Sequence, residues 1–166
     1  NEYSIWSGML RRCYDDKWKK KHPTYKNCIV CDEWHNFQNF AKWYEENYWE
    51  PINERVELDK DILQYNEKIY SPNTCFLVSQ RINLLFVEHK KYGITKNYNR
   101  YALAACDENG RKFLGTYSTQ EEAFLAYKNF KEAYIKQVAD EYKSKYPNFP
   151  QKLYDAMYSY EVEITD

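Results

Sequence analysis

Two β-prone runs, Tyr101 to Cys106 and Lys112 to Tyr117, flank Asp107-Glu-Asn-Gly110, and a helix-capping signature follows at once. Gly110 supplies the positive φ that a tight hairpin turn asks for. Ser118 and Thr119 each stand three residues before a glutamate, Glu121 and Glu122, the spacing of a capping box. Ala123, Ala126, Tyr127, Phe130, Tyr134 and Val138 then recur at helical spacing. That stripe predicts a helix to about Lys143, ended before Pro147. His89 to Asn99 reads as a linker entering a further strand, and Pro150 to Tyr160 as a last helix. The expected unit is a three-stranded antiparallel sheet packed on a long helix.

The other half of the chain has a different grammar. Ile5, Trp6, Met9, Leu10 and Cys13 lie on one helical face, and Asp15 to Asn27, with Pro23, reads as a loop. Cys28-Ile-Val-Cys31 reads as a short strand or turn edge. Asn36 is a candidate N-cap for a helix carrying Phe37, Phe40, Ala41, Tyr44 and Tyr48. Trp49 to Arg55, with Pro51, breaks it. Val56 to Leu63 reads as a strand with Lys68-Ile-Tyr70 as its return, and Ser71-Pro-Asn73 as a turn. Thr74 to Val78 is apolar and β-prone, and Ser79 caps a short helix through Phe86. The fold class expected is α+β, divided into residues 1–88 and 89–166.

Composition narrows the function classes. The 166 residues include 18 Tyr, 8 Phe and 5 Trp, but only 4 Gly, which disfavours a glycine-rich phosphate cradle. No apolar run approaches the roughly 18 residues of a membrane span, and the start lacks a signal-peptide core. Five cysteines in such a chain point to reduced thiols or a metal site rather than a disulfide framework. The net charge of -1 argues against a strong nonspecific nucleic-acid binder. The charge is nonetheless segmented: Arg11 to Lys26 holds seven basic residues against two acidic, and Glu45 to Glu67 eight acidic against two basic.

The series Trp6-Ser-Gly-Met9, Arg12-Cys13, Val30-Cys-Asp-Glu-Trp34, Phe37-Gln-Asn-Phe40, Leu58-Asp-Lys-Asp61, Tyr70-Ser-Pro72 and Cys75 resembles phage-encoded proteins related to HNH endonucleases. The resemblance implies a helical N-terminal module followed by a ββα-metal-like hairpin and helix over Val56 to Phe86. In an active site of that family, an Asp binds the metal, a His acts as general base, an Asn orients it, and a final His or Asn holds the cation. The matching positions are Asp59, Lys60, Thr74 and Asn83, in that order. A lysine ammonium has donors only and cannot take a proton from water. It also places positive charge where a divalent ion needs ligands. Asn73 would restore the orienting amide after a one-residue shift of the alignment. No shift restores the His, since His22, His35 and His89 lie outside the hairpin.

Tyr101-Ala-Leu-Ala, Gly110-Arg-Lys-Phe-Leu-Gly-Thr-Tyr117, Thr119-Gln-Glu-Glu-Ala123 and Ala126-Tyr127 resemble the DNA-binding module of plant ethylene-response-type factors, which also occurs fused to phage HNH proteins. There the sheet enters the major groove and the helix supports it. The resemblance makes Lys96, Arg100, Arg111 and Lys112 candidate contacts, since Arg can read guanine and any of them can meet phosphate. Plant members carry more Arg and Trp on these strands.

Three further patterns are open at this level. Cys28-x-x-Cys31 with Cys13 and Cys75, or with His35, could complete a zinc site, and the same thiols could instead pack a core beside Trp6 and Trp34. Lys17 to Lys21, with Lys19 and Lys20 at its centre, is either a phosphate track or a solvated loop. Among aromatics, only Trp18, Trp49 and Tyr98 fall in polar segments and are candidates for a partner surface.

The sequence reading is therefore a phage-type protein that binds double-stranded DNA on a catalytically degenerate HNH scaffold, acting in the cytoplasm of a bacterial host with no cofactor. One alternative is an active HNH nicking or homing endonuclease that uses Mg2+. The other is a phage inhibitor of a host defence nuclease that reuses the scaffold.

Overall fold

The computed structural model of the chain describes residues 2–63, 67–86 and 93–163. These divide into two compact units. One holds the described residues through Phe86 together with Asn148–Ala156, and the other those of 93–147 and 157–163. The expected junction near residue 88, and His89, lie outside the described residues.

The first unit opens with α1 (Glu2–Tyr14) and α2 (Asp16–Lys21). The helix α2 replaces the loop expected after Tyr14. Asp15 starts it, its carboxylate accepting from the backbone N–H of Lys17 and Trp18 at 2.8 and 3.0 Å. A short strand β1 (Ile29–Val30) follows, then α3 (Phe37–Asn47). Asn36 caps α3 as expected, accepting from the Gln38 N–H at 2.9 Å. Met9, Cys13, Trp34 and Phe40 are fully or nearly fully buried with Leu58, Tyr70 and Leu77 around them. The Trp6 indole N–H donates to the Trp34 carbonyl at 2.7 Å, tying α1 to the turn before α3.

The segment expected to form the hairpin holds β2 (Val56–Asp59), β3 (Ile69–Tyr70), β4 (Phe76–Ser79) and α4 (Gln80–Leu85). The antiparallel partner of β2 is β4, with Val56 opposite Ser79 and Asp59 opposite Phe76. Lys68 to Tyr70 is not the return strand; β3 pairs in parallel with β1, Ile29 opposite Ile69. β2 also stops at Asp59 rather than Leu63. The Asp59 carboxylate accepts from the backbone N–H of Asp61 and Ile62, both at 2.9 Å, and this turn pulls the chain off the ladder. Ser79 caps α4 as expected, accepting from the Ile82 N–H at 3.2 Å.

Trp49 is not a surface residue. It is 2% exposed, its N–H donates to the Leu77 carbonyl at 2.8 Å, and Phe149 meets its ring edge-on at 5.0 Å. This contact belongs to the segment that groups Asn148–Ala156 with the first unit, a pairing between residues a hundred positions apart.

The second unit contains the three-stranded antiparallel sheet β5 (Ile94–Asn97), β6 (Arg100–Asp107) and β7 (Gly110–Tyr117), in that spatial order. It packs on the long helix α5 (Gln120–Lys145). The capping box is present: Thr119 accepts from the Glu122 N–H at 3.1 Å, and the Glu122 carboxylate accepts from the Thr119 N–H at 3.3 Å. Leu103, Ala105 and Tyr127 form the buried centre, with Ile94, Leu114 and Tyr117 packed against it. Gly110 turns the β6–β7 hairpin with φ +103. The last helix, α6 (Gln151–Ser159), ends the regular structure. No helix among the described residues is long and apolar enough to cross a membrane.

Candidate functional site

Each of the four positions matched to the HNH motif is engaged by its own neighbours. Asp59 is 8% exposed, and one oxygen of its carboxylate accepts from the backbone N–H of both Asp61 and Ile62. Burial pushes its acid up to about 6, against the pull of those two N–H groups. Lys60, 6% exposed, donates to both carboxylate oxygens of Asp61 at 2.7 and 2.8 Å, and its ammonium stands 5.7 Å from the centre of the Tyr70 ring. Thr74 closes its own turn. Its hydroxyl donates to the Ile69 carbonyl at 2.7 Å and accepts from the Ser71 N–H at 3.0 Å. Asn83 on α4 donates its amide N–H to Glu57, whose other oxygen pairs with Arg55 at 2.6 Å. Asn73 is exposed within the turn.

A divalent cation is poorly served by this set. One oxygen of the Asp59 carboxylate is engaged by two backbone donors, the Asn83 amide by a glutamate and the Thr74 hydroxyl by its own turn, and Lys60 supplies a cation. As arranged here, these residues do not fit a catalytic metal.

Three of the five cysteines are packing residues by environment. Cys13, Cys28 and Cys75 are buried in the first unit's core beside Trp34. Burial raises the thiols of Cys13 and Cys75 to about 11 and about 12, and raises that of Cys28 as well. Among the described residues, no three His, Cys, Asp or Glu side chains form a group able to hold a metal ion. His35 instead meets the Tyr14 hydroxyl at 3.2 Å.

The sheet of the second unit has two distinct faces. Leu103 and Ala105 on β6 look toward α5, so their cross-strand partners share that side. Ala102, Ala104 and Cys106 take the other side, with Thr95, Phe113 and Thr116 as partners or neighbours in register. Between Leu103 and Ala104 the register slips by one residue, leaving Leu114 without a partner. The slip decides which candidate contacts share a face. Arg111, opposite Cys106, falls on the free side with Phe113. Lys112, opposite Ala105, falls on the helix side, as does Lys96, opposite Tyr101, with its ammonium 5.8 Å from that ring.

The four candidate contacts are thus divided between faces. Arg100 and Arg111 share the free face but not one end of it. Arg100 pairs with Asn97 and donates to the Thr116 carbonyl at 3.2 Å, whereas Arg111 lies beside the β6–β7 turn. At a rise of ~3.3 Å per residue, they stand about 20 Å apart along β6.

The free face carries Thr95, Asn97, Arg100, Ala102, Ala104, Cys106, Arg111, Phe113 and Thr116, with no acid among them. Phe113 is 66% exposed and was missed from sequence, because strict alternation from Tyr117 places it under the helix. The signal was Gly115, whose φ of +138 marks the irregularity. Tyr98, at the β5–β6 turn, is 92% exposed and is the one aromatic of the three in polar segments that stands fully in solvent.

On the first unit, Lys20 is exposed at the end of α2, while Lys19 is half-buried and pairs with Asp16 at 3.7 Å. No protein-family model, curated protein or solved structure matches the chain.

Proposed function

We propose that this protein binds double-stranded DNA through the free face of the three-stranded sheet, on a chain whose HNH-like hairpin serves as a scaffold without nuclease chemistry. The observation that carries the reading is the composition of that face. It is free of acids, floored by Ala102 and Ala104, and carries Arg100 and Arg111 at its ends with exposed Phe113 between them. Small residues let the backbone approach base edges, arginines meet phosphate or guanine, and an apolar ring suits a thymine methyl. The hairpin supplies the second half of the reading, since Lys60 occupies the general-base position and is tied to Asp61.

The test is fluorescence anisotropy on a random-sequence 20-base-pair duplex across a salt series, with a plasmid-nicking assay in magnesium run beside it. Salt-sensitive binding without nicking is expected. Absence of any salt-sensitive binding would discard the reading in favour of the protein-inhibitor alternative.

A further inference from the structure

The first unit carries a cationic corner of its own, where α1 runs into α2. Resting on the duplex-binding reading above, we propose that this corner is a second phosphate-backbone contact, formed by Arg11, Lys17, Lys20 and Lys21 and independent of the sheet.

The corner owes its charge to an excess of bases, with Arg11, Arg12, Lys17, Lys19, Lys20 and Lys21 set against Asp15 and Asp16. Asp15 is held by the Lys17 and Trp18 N–H groups as the cap of α2, and these bonds keep its carboxyl below the usual range. Asp16 pairs with Lys19. Lys20 and Lys21 have no acidic partner among the described residues, and both are exposed, as are Arg11 and Lys17. Lys17 and Lys21 are four apart on a six-residue helix, a like-charge spacing that costs helix stability unless a counter-charge arrives. A polyanion supplies that counter-charge.

The corner is also held in place. The Arg11 guanidinium lies 4.4 Å from the Trp18 ring, and the His22 ring stacks on the same indole at 4.3 Å with a 28° tilt. This arrangement ties α1, α2 and the residue that ends α2 into one stack, so the lysines project from a fixed base rather than a loose loop. Lys19 is excluded from the contact set by its pairing with Asp16 and by its partial burial.

The full chain tests this directly. Lys17→Ala/Lys20→Ala/Lys21→Ala is compared with the parent, and with a charge-matched control, Lys42→Ala/Lys145→Ala/Lys152→Ala, by duplex anisotropy against salt. Each phosphate contact removed lowers the log–log salt slope by roughly one. The corner variant should lose roughly three units of slope while the control loses less than one. Circular dichroism should be unchanged; should the triple variant misfold, Lys20→Glu alone must still weaken binding at least several-fold. If the parent binds duplex but the corner variant and its control behave alike, the corner proposal is overturned and the sheet reading stands. If the parent shows no salt-sensitive binding, both fall together.

Discussion

The Lys60 ammonium is held by both oxygens of the Asp61 carboxylate, its neighbour in sequence. The position matched to a general base is therefore filled by a cation already engaged in an ion pair. The protein is expected not to convert supercoiled plasmid to nicked circle with magnesium or manganese. Lys60→His alone should not restore full activity, because Thr74 spends its hydroxyl on the Ile69 carbonyl and leaves a new imidazole unoriented. Nicking that disappears in Asp59→Ala would refute this.

Asp59 gives a pH signature. Burial raises its acid in the folded protein to about 6 from the ordinary 3.8, so the neutral form is the one the fold prefers. Its contribution is complete below pH 4 and is lost as the pH rises through 6. At about 1.36 kcal/mol for each pH unit between the two values, the change is on the order of 3 kcal/mol at most. Asp59→Asn should remove this fall in stability between pH 4 and 6. Urea unfolding of parent and variant at both ends of that window measures the difference, and parallel curves would contradict it.

The two arginines of the free face should act separately. About 20 Å of β6 lies between them at ~3.3 Å per residue, beyond the range where substitutions usually couple. Arg100→Ala and Arg111→Ala should each lower the salt slope by roughly one, with additive losses in the double variant. Phe113→Ala should weaken binding without changing the slope, since no charge leaves. Anisotropy titrations separate these outcomes, and a non-additive double variant would mean that the pair reads one site.

Gly93 is expected to be intolerant. Its φ is +67, and a Cβ there would sit 1.9 Å from the Ala104 carbonyl oxygen. The Gly93 carbonyl also accepts from the Ala104 N–H at 3.1 Å, which holds the backbones close. Gly93→Ala should cost more than about 2 kcal/mol, combining an unfavourable conformation with a backbone clash. Thermal unfolding unchanged from the parent would show that the strand can shift.

Thiol chemistry should follow burial. Cys106 is exposed, whereas Cys13, Cys28 and Cys75 are buried. At pH 8 Cys106 should react with a disulfide reagent well before these three, and the purified protein should carry less than one equivalent of zinc. Stoichiometric zinc, lost on Cys28→Ser, would overturn this.

Local signals written in consecutive residues were legible from sequence alone. The Thr119–Glu122 box, the Asn36 and Ser79 caps and the Gly110 turn each depend on groups within four residues of one another, so residue type and spacing suffice. The α+β class and the sheet on its long helix follow from those signals and from the stripe on α5. What the sequence could not decide was pairing. β3 joins β1 rather than β2, and Trp49 is buried by Phe149. These are long-range choices, set by which apolar surfaces find one another. The site turned on the smallest of them. One unpaired residue, Leu114, moves Phe113 and Arg111 to the free face and sends Lys112 to the helix side. Side chains alternate with period two, so a single slip in register exchanges the faces, and only the folded sheet determines where that slip falls.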